Sequence, residues 1–307
     1  MSYSKDRILF TLCLALLSSI FCKAQYHPMY SQYMFNGQAI NPAYAGSREV
    51  LSLAALYRSQ GKNIEGAPVT QTFSGDFPLR NPQLALGLLV FNDQIGKYRQ
   101  SGAYAAYAFR VKAGEGKLSF GLQAGFDMMR EDNNVFTLQE NDPMFNGEIL
   151  KLFMPNVGAG VYYYDDNYFA GFSMPRLMAY APNNADSYSG KLSFENLMLY
   201  GGTKIFINDN LKVKPSALIQ YAQKTWLYDL NCNIILLPKE TLELGISYRN
   251  TKTLVALAEV RINPQFCLGY SYDHTFGQFN ITNGSHEIML RYEFRFRVKA
   301  ENPLYLK

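Results

Sequence analysis

The sequence has three histidines, one tryptophan and four cysteines in 307 residues. His27, His274 and His286 stand far apart, and none has a second His or a Cys at ligand spacing, which argues against a zinc centre. No G-x-S-x-G elbow, phosphate-binding glycine loop or H-E-x-x-H helix occurs, so the common signatures of hydrolases and nucleotide enzymes are missing. Ser285, His286 and Glu287 are adjacent, but neighbours on a strand point to opposite faces and cannot form a triad. The chain is therefore read as a non-enzyme, with no cofactor and no metal. Glu131-Asp132-Asn133-Asn134 and Glu140-Asn141-Asp142 carry oxygen ligands of the kind calcium takes. They match no EF-hand spacing, and a solvated charged loop is the plainer reading.

A surplus of one charge sign is also missing. The first residues read as an export signal: Lys5 and Arg7, then the apolar run Ile8 to Phe21, then small residues at Cys22 and Ala24. Cleavage is expected after Ala24. A lipoprotein signal at Cys22 is the rival, disfavoured by bulky Phe21 before it. The leader takes Lys5, Arg7, Lys23 and Asp6 with it, so 29 basic and 25 acidic residues become 26 and 24. That near balance gives no case for nucleic acid. Cys13 and Cys22 also leave. Cys232 and Cys267 remain, and strand alternation puts them on opposite faces, so two unpaired thiols are expected.

After the leader no apolar run reaches 18 residues, so no transmembrane helix is expected. What the chain does have is aromatics, 23 Tyr and 21 Phe, set in segments that alternate with period two. Leu118, Phe120, Leu122, Ala124, Phe126 and Met128 alternate with Ser119, Gly121, Gln123, Gly125 and Asp127. Residues 226–234, 242–249, 266–273 and 287–296 behave alike. Nine less regular segments bring the total to fourteen strands. Leu84–Phe91 is apolar on both parities, so its facing is open. Arg80-Asn81-Pro82, Ala113 to Gly116, Asp165 to Asn167, Asn208 to Asn210, Pro238 to Glu240 and Asn263 to Gln265 fall at every second connection. These are tight-turn residues. The longest connections, Glu131–Met154, Pro175–Asn196 and His274–Ser285, have the other parity. Short periplasmic turns alternating with longer extracellular loops mark an outer-membrane barrel with both termini in the periplasm. A soluble β-sandwich is the competing architecture, but it need not gather its long loops at one end.

The expected fold is thus all-β, a single transmembrane antiparallel β-barrel of about 14 strands with a short N-terminal periplasmic segment. The expected divisions are a signal peptide at 1–24, an N-terminal periplasmic segment or plug at 25–48, the barrel at 49–298 and a tail at 299–307. Mixed charges are expected in the lumen, at Asp127, Asp229, Glu243, Arg249, Glu259, Arg261, Asp273, Glu287, Arg291, Glu293 and Arg295. They line a polar interior, pair across it, or grip an inserted segment. The apolar content of Gln25–Gly46 is too high for a dangling chain. It is expected to fold against or into the periplasmic mouth, or to pack on a periplasmic partner.

Two ordered motifs bracket the chain. Near the start are Ser31-Gln32-Tyr33-Met34-Phe35-Asn36, Asn41-Pro42-Ala43-Tyr44-Ala45-Gly46 and Leu56-Tyr57-Arg58. Near the end is Gly284-Ser285-His286-Glu287-Ile288-Met289-Leu290. Together they resemble the PorP/SprF family, outer-membrane proteins tied to the type IX secretion system of Bacteroidota. One departure is Gly61, where the family pattern leads one to expect Trp. The resemblance implies a protein of the outer membrane that supports secretion or cell-surface attachment of adhesins and gliding-related proteins through their C-terminal domains. The implied partners are outer-membrane lipid, a secreted type IX substrate and periplasmic secretion or gliding lipoproteins. Tyr33, Met34, Phe35, Asn41, Pro42 and Tyr44, with lumenal Arg249, Arg261, Arg291 and Glu293, are the candidate partner-binding residues. The alternative is a passive outer-membrane channel or small-molecule transporter.

Overall fold

The computed structural model describes residues 30–61, 64–131, 150–184, 187–222, 224–236, 241–276 and 284–294. The expected signal peptide, both acidic runs of the longest loop beyond Glu131, and Arg295 lie outside the described residues. The strands are β1 (Leu51–Gln60), β2 (Val69–Pro78), β3 (Leu84–Ile95), β4 (Tyr98–Ala113), β5 (Gly116–Glu131), β6 (Leu150–Tyr164), β7 (Tyr168–Met174), β8 (Met178–Asn184), β9 (Ser187–Leu192), β10 (Asn196–Thr203), β11 (Ile205–Asn208), β12 (Leu211–Ala222), β13 (Thr225–Leu236), β14 (Leu242–Arg249), β15 (Thr253–Arg261), β16 (Phe266–Thr275) and β17 (Ser285–Phe294). β10 and β11 both pair with β12 and form one wall strand broken at Lys204. β8 and β9 pair with each other, outside the wall. Neighbouring strands are antiparallel, β10 joins β7 to β12, and β1 pairs with β17. The result is a closed fourteen-stranded barrel, which leaves no sheet edge for lipid to meet.

Each wall strand lies where the alternation places it. Several run further than the apolar pattern shows. β4 begins at Tyr98, because Gln100, Ser101 and Gly102 interrupt the pattern while their backbone keeps the ladder. The β8–β9 hairpin was not expected within Pro175–Asn196.

The barrel is apolar outside and polar inside. Leu122 is 65% and Ile246 61% exposed, whereas Ser119, Asn233 and Ser271 are 0%. The ambiguity in β3 resolves with Leu86, Leu88 and Val90 outward and Ala85, Leu89 and Phe91 inward. Its inner face is apolar because it packs on residues 39 and 45 of the N-terminal segment and on Tyr104 and Ala108 of β4. Cys232 is exposed, Cys267 is buried, and both are free.

One end of the barrel carries the short connections and is termed the turn end; the other is the loop end. Residues 30–49 lie inside the barrel. Tyr30 stands near the loop end, where its hydroxyl meets Thr72 of β2. The chain then descends through short turns at Gly37–Ala39 and Pro42–Tyr44. At the turn end Gly46 (φ 70°) and Glu49 (φ 59°) reverse it into β1. The segment is thus threaded up the lumen rather than set beneath its mouth.

Candidate functional site: a threaded lumen

The upper anchor of the segment is built on two backbone N–H groups, a serine hydroxyl and two carboxylates. Ser31 N–H donates to Glu287 Oε2 at 3.1 Å, and Gln32 N–H to Oε1 at 2.8 Å. Ser31 Oγ donates to Asp273 Oδ2 at 2.6 Å. Arg58 of β1 holds both acids, reaching Asp273 at 2.8 Å and Glu287 at 3.1 Å. Arg249, bound to Asp229 at 2.8 Å, lies 3.6 Å from Asp273. Arg58, Asp273 and Glu287 are at most 3% exposed. Buried charges are tolerable only when paired and hydrogen-bonded, as here. Register dictates part of this arrangement: Arg58 lies directly opposite Glu287 in the β1–β17 ladder.

A second anchor holds the Phe35 carbonyl, which accepts from Arg48 Nη2 at 2.8 Å and Arg291 Nη1 at 3.2 Å. Arg291 makes a two-pronged pair with Glu259 at 2.7 and 2.9 Å. Glu293 binds Arg48 at 3.1 Å, with Arg261 further off at 3.9 Å. The third anchor is Asn41. Its Oδ1 accepts Ala43 N–H at 2.9 Å, capping the short turn, while Nδ2 donates to the Val161 carbonyl at 3.0 Å and to Tyr200 Oη at 3.2 Å. Gly46 N–H donates to Asp76 at 2.8 Å, and its carbonyl accepts from Arg110.

The wall is recessed where the segment crosses it. Gly121 of β5 and Gly160 of β6 are register partners, and both face inward. A Cβ on Gly121 would strike the backbone of Pro42 and Ala43; one on Gly160 would strike the Asn41 amide. The apolar side chains of the segment fill two patches. Tyr33, Ile40 and Ala43 pack with Tyr162, Met198, Tyr200 and Leu218; Phe35 packs with Val255, Leu257 and Met289. Tyr44 meets the Tyr162 ring at 5.4 Å.

From the loop end a second intrusion meets the first. After β7, the Pro175 carbonyl accepts from Gln123 at 2.7 Å. Arg176 binds Asp127 at 3.2 Å and lies over the rings of Phe91 and Tyr104, 5.1 and 5.5 Å from their centres. At the turn end a recess of about 280 Å³ remains beside the segment. Met34, Tyr44, Arg48, Tyr164, Lys204 and Lys214 are among its lining residues.

Of the ten candidate residues, Tyr33, Phe35, Asn41, Pro42, Arg249, Arg291 and Glu293 are buried between segment and wall. Met34, Tyr44 and Arg261 are half-buried at the recess. The candidates therefore come together within one chain. Ser31, Gln32, Arg58, Gly121 and Gly160 also form this contact between segment and wall. A signal for Arg58 was present: an arginine on the polar parity of the first strand needs an inward acid. His286 points the other way from Glu287, with Tyr270 Oη 2.7 Å from its Nδ1, so the adjacent Ser-His-Glu trio does not converge. Among the described residues no cluster of His, Cys, Asp and Glu fits a metal.

A family model described as type IX secretion system membrane protein PorP/SprF matches residues 22–292. Among solved structures, the CymD monoaromatic hydrocarbon channel aligns with a TM-score of 0.53 at 13% identity, over 89% of this chain and 95% of that one. The outer membrane protein Omp33 of Acinetobacter baumannii aligns with a TM-score of 0.46 at 11% identity, over 81% and 98%. A Pseudomonas aeruginosa FadL homologue gives 0.47 at 11% identity, over 88% and 95%. Identities this low speak to the barrel fold alone. No curated protein matches the sequence.

Proposed function

Since the chain belongs to the PorP/SprF family of type IX secretion system membrane proteins, we propose that this outer-membrane barrel supports secretion or cell-surface attachment of proteins by holding their C-terminal domains. Adhesins and gliding-related proteins are the intended cargo. The work is binding, with no bond made or broken. The loop end faces outward and holds the cargo. The turn end, with the C-terminal end of β17, faces the periplasm and meets secretion or gliding lipoproteins. The turn-end recess, with Met34, Tyr44 and Arg261 at its surface, is the part of the candidate set open to such a partner.

The observation that carries this reading is the threaded lumen. A chain segment anchored by Glu287, Asn41 and Arg291 inside the barrel leaves binding at the two ends, rather than flow through the middle, as the work of the molecule. The competing reading is a passive channel or small-molecule transporter, in keeping with the name of the channel it superposes on. Affinity purification of the tagged barrel from outer membranes separates the two. Recovery of a large secreted protein through its C-terminal domain, or of periplasmic secretion components, is expected. Large open currents in planar bilayers, with no loss of surface protein on deletion of the barrel, would sink the proposal.

A further inference from the structure

The rim of the barrel is uneven at the turn end. β7 begins at Tyr168, opposite Thr203 of β10, while the next wall strand runs on through Lys204 into β11. β11 therefore has β12 on one side and, among the described residues, no strand on the other. The register is unchanged across the break, with Gly202 opposite Ser216 and Ile205 opposite Val213. The break falls at the level of Pro215, which has no N–H to give the ladder. Lys204 N–H points to the β7 side, where it donates to the Asn167 carbonyl at 2.6 Å. By alternation the N–H and C=O of Phe206 point the same way, and no described residue takes them up. Ile205, Phe206 and Ile207 are 46%, 53% and 56% exposed, so this edge is apolar on both parities. An exposed apolar strand edge is a template for another strand.

The height of the edge decides what can reach it. Leu118 is the lowest outward apolar residue of β5 and marks the lower margin of the apolar band. The ladder row through it passes Tyr163, Ala170 and Gly201. That row climbs away from the turn end, because the hairpin at Asp209 lies further below Gly201 than the hairpin at Gly114 lies below Leu118. Strands about 4.8 Å apart and tilted by roughly 40° gain about 3 Å of height per step, so Gly201 stands about 9 Å above the margin. Each residue along the strand descends about 2.5 Å. Ile205 is then at the margin and Ile207 about 5 Å below it. The open edge begins where the hydrocarbon ends, so water and proteins reach it, and no unpaired backbone faces lipid.

We propose that β11 takes up an extended segment of a periplasmic protein as an added strand. This rests on the reading above only in placing the turn end in the periplasm. A second copy of this chain does not fit. Identical strands pair antiparallel about a two-fold axis normal to the sheet; that axis lies in the membrane plane here and would invert one barrel. A parallel pair needs the axis along the tilted strand, which would set two barrels askew. The chain's own residues 295–307 start beyond β17, six strands round the wall, and carry Arg295, Arg297, Lys299 and Lys307 against Glu301. Lys204 and Lys212 flank the edge, Lys212 with its ammonium 4.7 Å from the Phe206 ring centre, and would repel such a tail. Lys204 lines the turn-end recess and pairs with no carboxylate among the described residues. The occupant is thus a separate segment without proline, apolar at its centre, with an acidic residue at the end that meets Lys204.

Photo-crosslinking in cells tests this, with a benzophenone side chain at position 207 of the full chain. The expected product joins residue 207 to one short periplasmic segment of that composition, mapped by mass spectrometry of the joined peptides. Phe206→Pro removes the N–H at the open edge and no bond of the barrel. It should lower the yield about tenfold, the scale of one backbone hydrogen bond, whereas Phe206→Tyr should not. Lys204→Glu should lower the yield as well, and it serves in place of Phe206→Pro if heat-modified gel mobility shows that the latter does not fold. Crosslinks confined to lipid, to residues 295–307 or to a second copy overturn the proposal, as does a yield unchanged by Phe206→Pro or, in its place, Lys204→Glu. If the tagged barrel recovers secretion components while residue 207 joins nothing, the docking on β11 fails alone; if neither result appears, the secretion reading fails with it.

Discussion

At the scale of residues, the lumen depends on charges that only make sense in groups. Arg58 neutralises Asp273 and Glu287, which in turn hold Ser31 and Gln32. Arg58→Met strips buried Glu287 of its cation and leaves Asp273 only the more distant Arg249 at 3.6 Å, a loss of about 3–5 kcal/mol. A lower thermal midpoint on unheated gels is expected; an unchanged one would show that the cluster adds no stability. Gly121 tests fit rather than charge. Gly121→Val must displace the Pro42–Ala43 backbone, which cannot swing aside as a side chain can. Gly87→Ala meets only the end of the Gln38 side chain and should be milder. Limited proteolysis should cut residues 30–49 in the first variant and spare them in the second. Asp165 sets a pH limit at the turn end. Its carboxylate accepts Tyr168 N–H at 2.6 Å and Asn167 N–H at 2.7 Å, which hold its pKa below the usual value. A depressed folded pKa contributes stability above the ordinary carboxylate pKa and loses it as pH falls through the folded value. Asp165→Asn keeps both acceptor contacts, so the acid-side slope of the unfolding midpoint should flatten in that variant.

At the scale of elements, the threaded segment matters most. It has few backbone hydrogen bonds of its own beyond those of its short turns, and it borrows order from the wall. Several polar atoms along it, among them Tyr33 Oη, Asn36 Nδ2 and both amide atoms of Gln38, are buried without a protein hydrogen bond. Such atoms call for water, so the seam between segment and wall is expected to be wet. Deleting residues 30–46 should turn a barrel of low conductance into one with ion currents on the order of those of open fourteen-strand pores. Equal currents before and after deletion would mean that the segment does not obstruct the lumen. The Pro175–Leu177 stretch is the second obstacle, and Arg176 holds it by pairing with Asp127.

At the scale of the whole molecule, closure is decided by the last strand. β17 pairs with β1 over ten positions, from Leu51 opposite Phe294 to Gln60 opposite Ser285. Ending the chain after Glu287 removes most of that seam and opens two sheet edges within the apolar band, where unpaired backbone groups each cost several kcal/mol. Such a chain should fail to insert, measured as loss of the heat-modifiable folded band. Insertion at normal yield would place closure elsewhere. The two motifs that carry the family resemblance also become one object at this scale. Ser31 and Gln32 from the first, Arg58 from the start of the wall, and Glu287 from the last strand are in direct contact. Gly61, at the end of β1, has φ 71° and donates its N–H to the Gly284 carbonyl, so the closing seam continues one step past the strand.

The barrel itself was legible in the chain. Period-two alternation and tight-turn residues at every second connection determine strand number, the parity that faces lipid, and which end holds the turns. These are local properties, set within ten or so residues by backbone geometry and the apolar surroundings. The longer ends of β4 and β5 were not legible, because a backbone ladder continues through polar residues that break the pattern. Nor was the path of residues 30–49. An irregular segment has no period, and its course is fixed by partners such as Glu287 and Gly160, more than a hundred residues away. What the alternation shows only as a polar inner face, including Gly121 and Arg58, becomes a seat and a clasp once the wall is closed around the chain. Only the tertiary structure could decide that, because closure alone brings the first and last strands together with the segment between them.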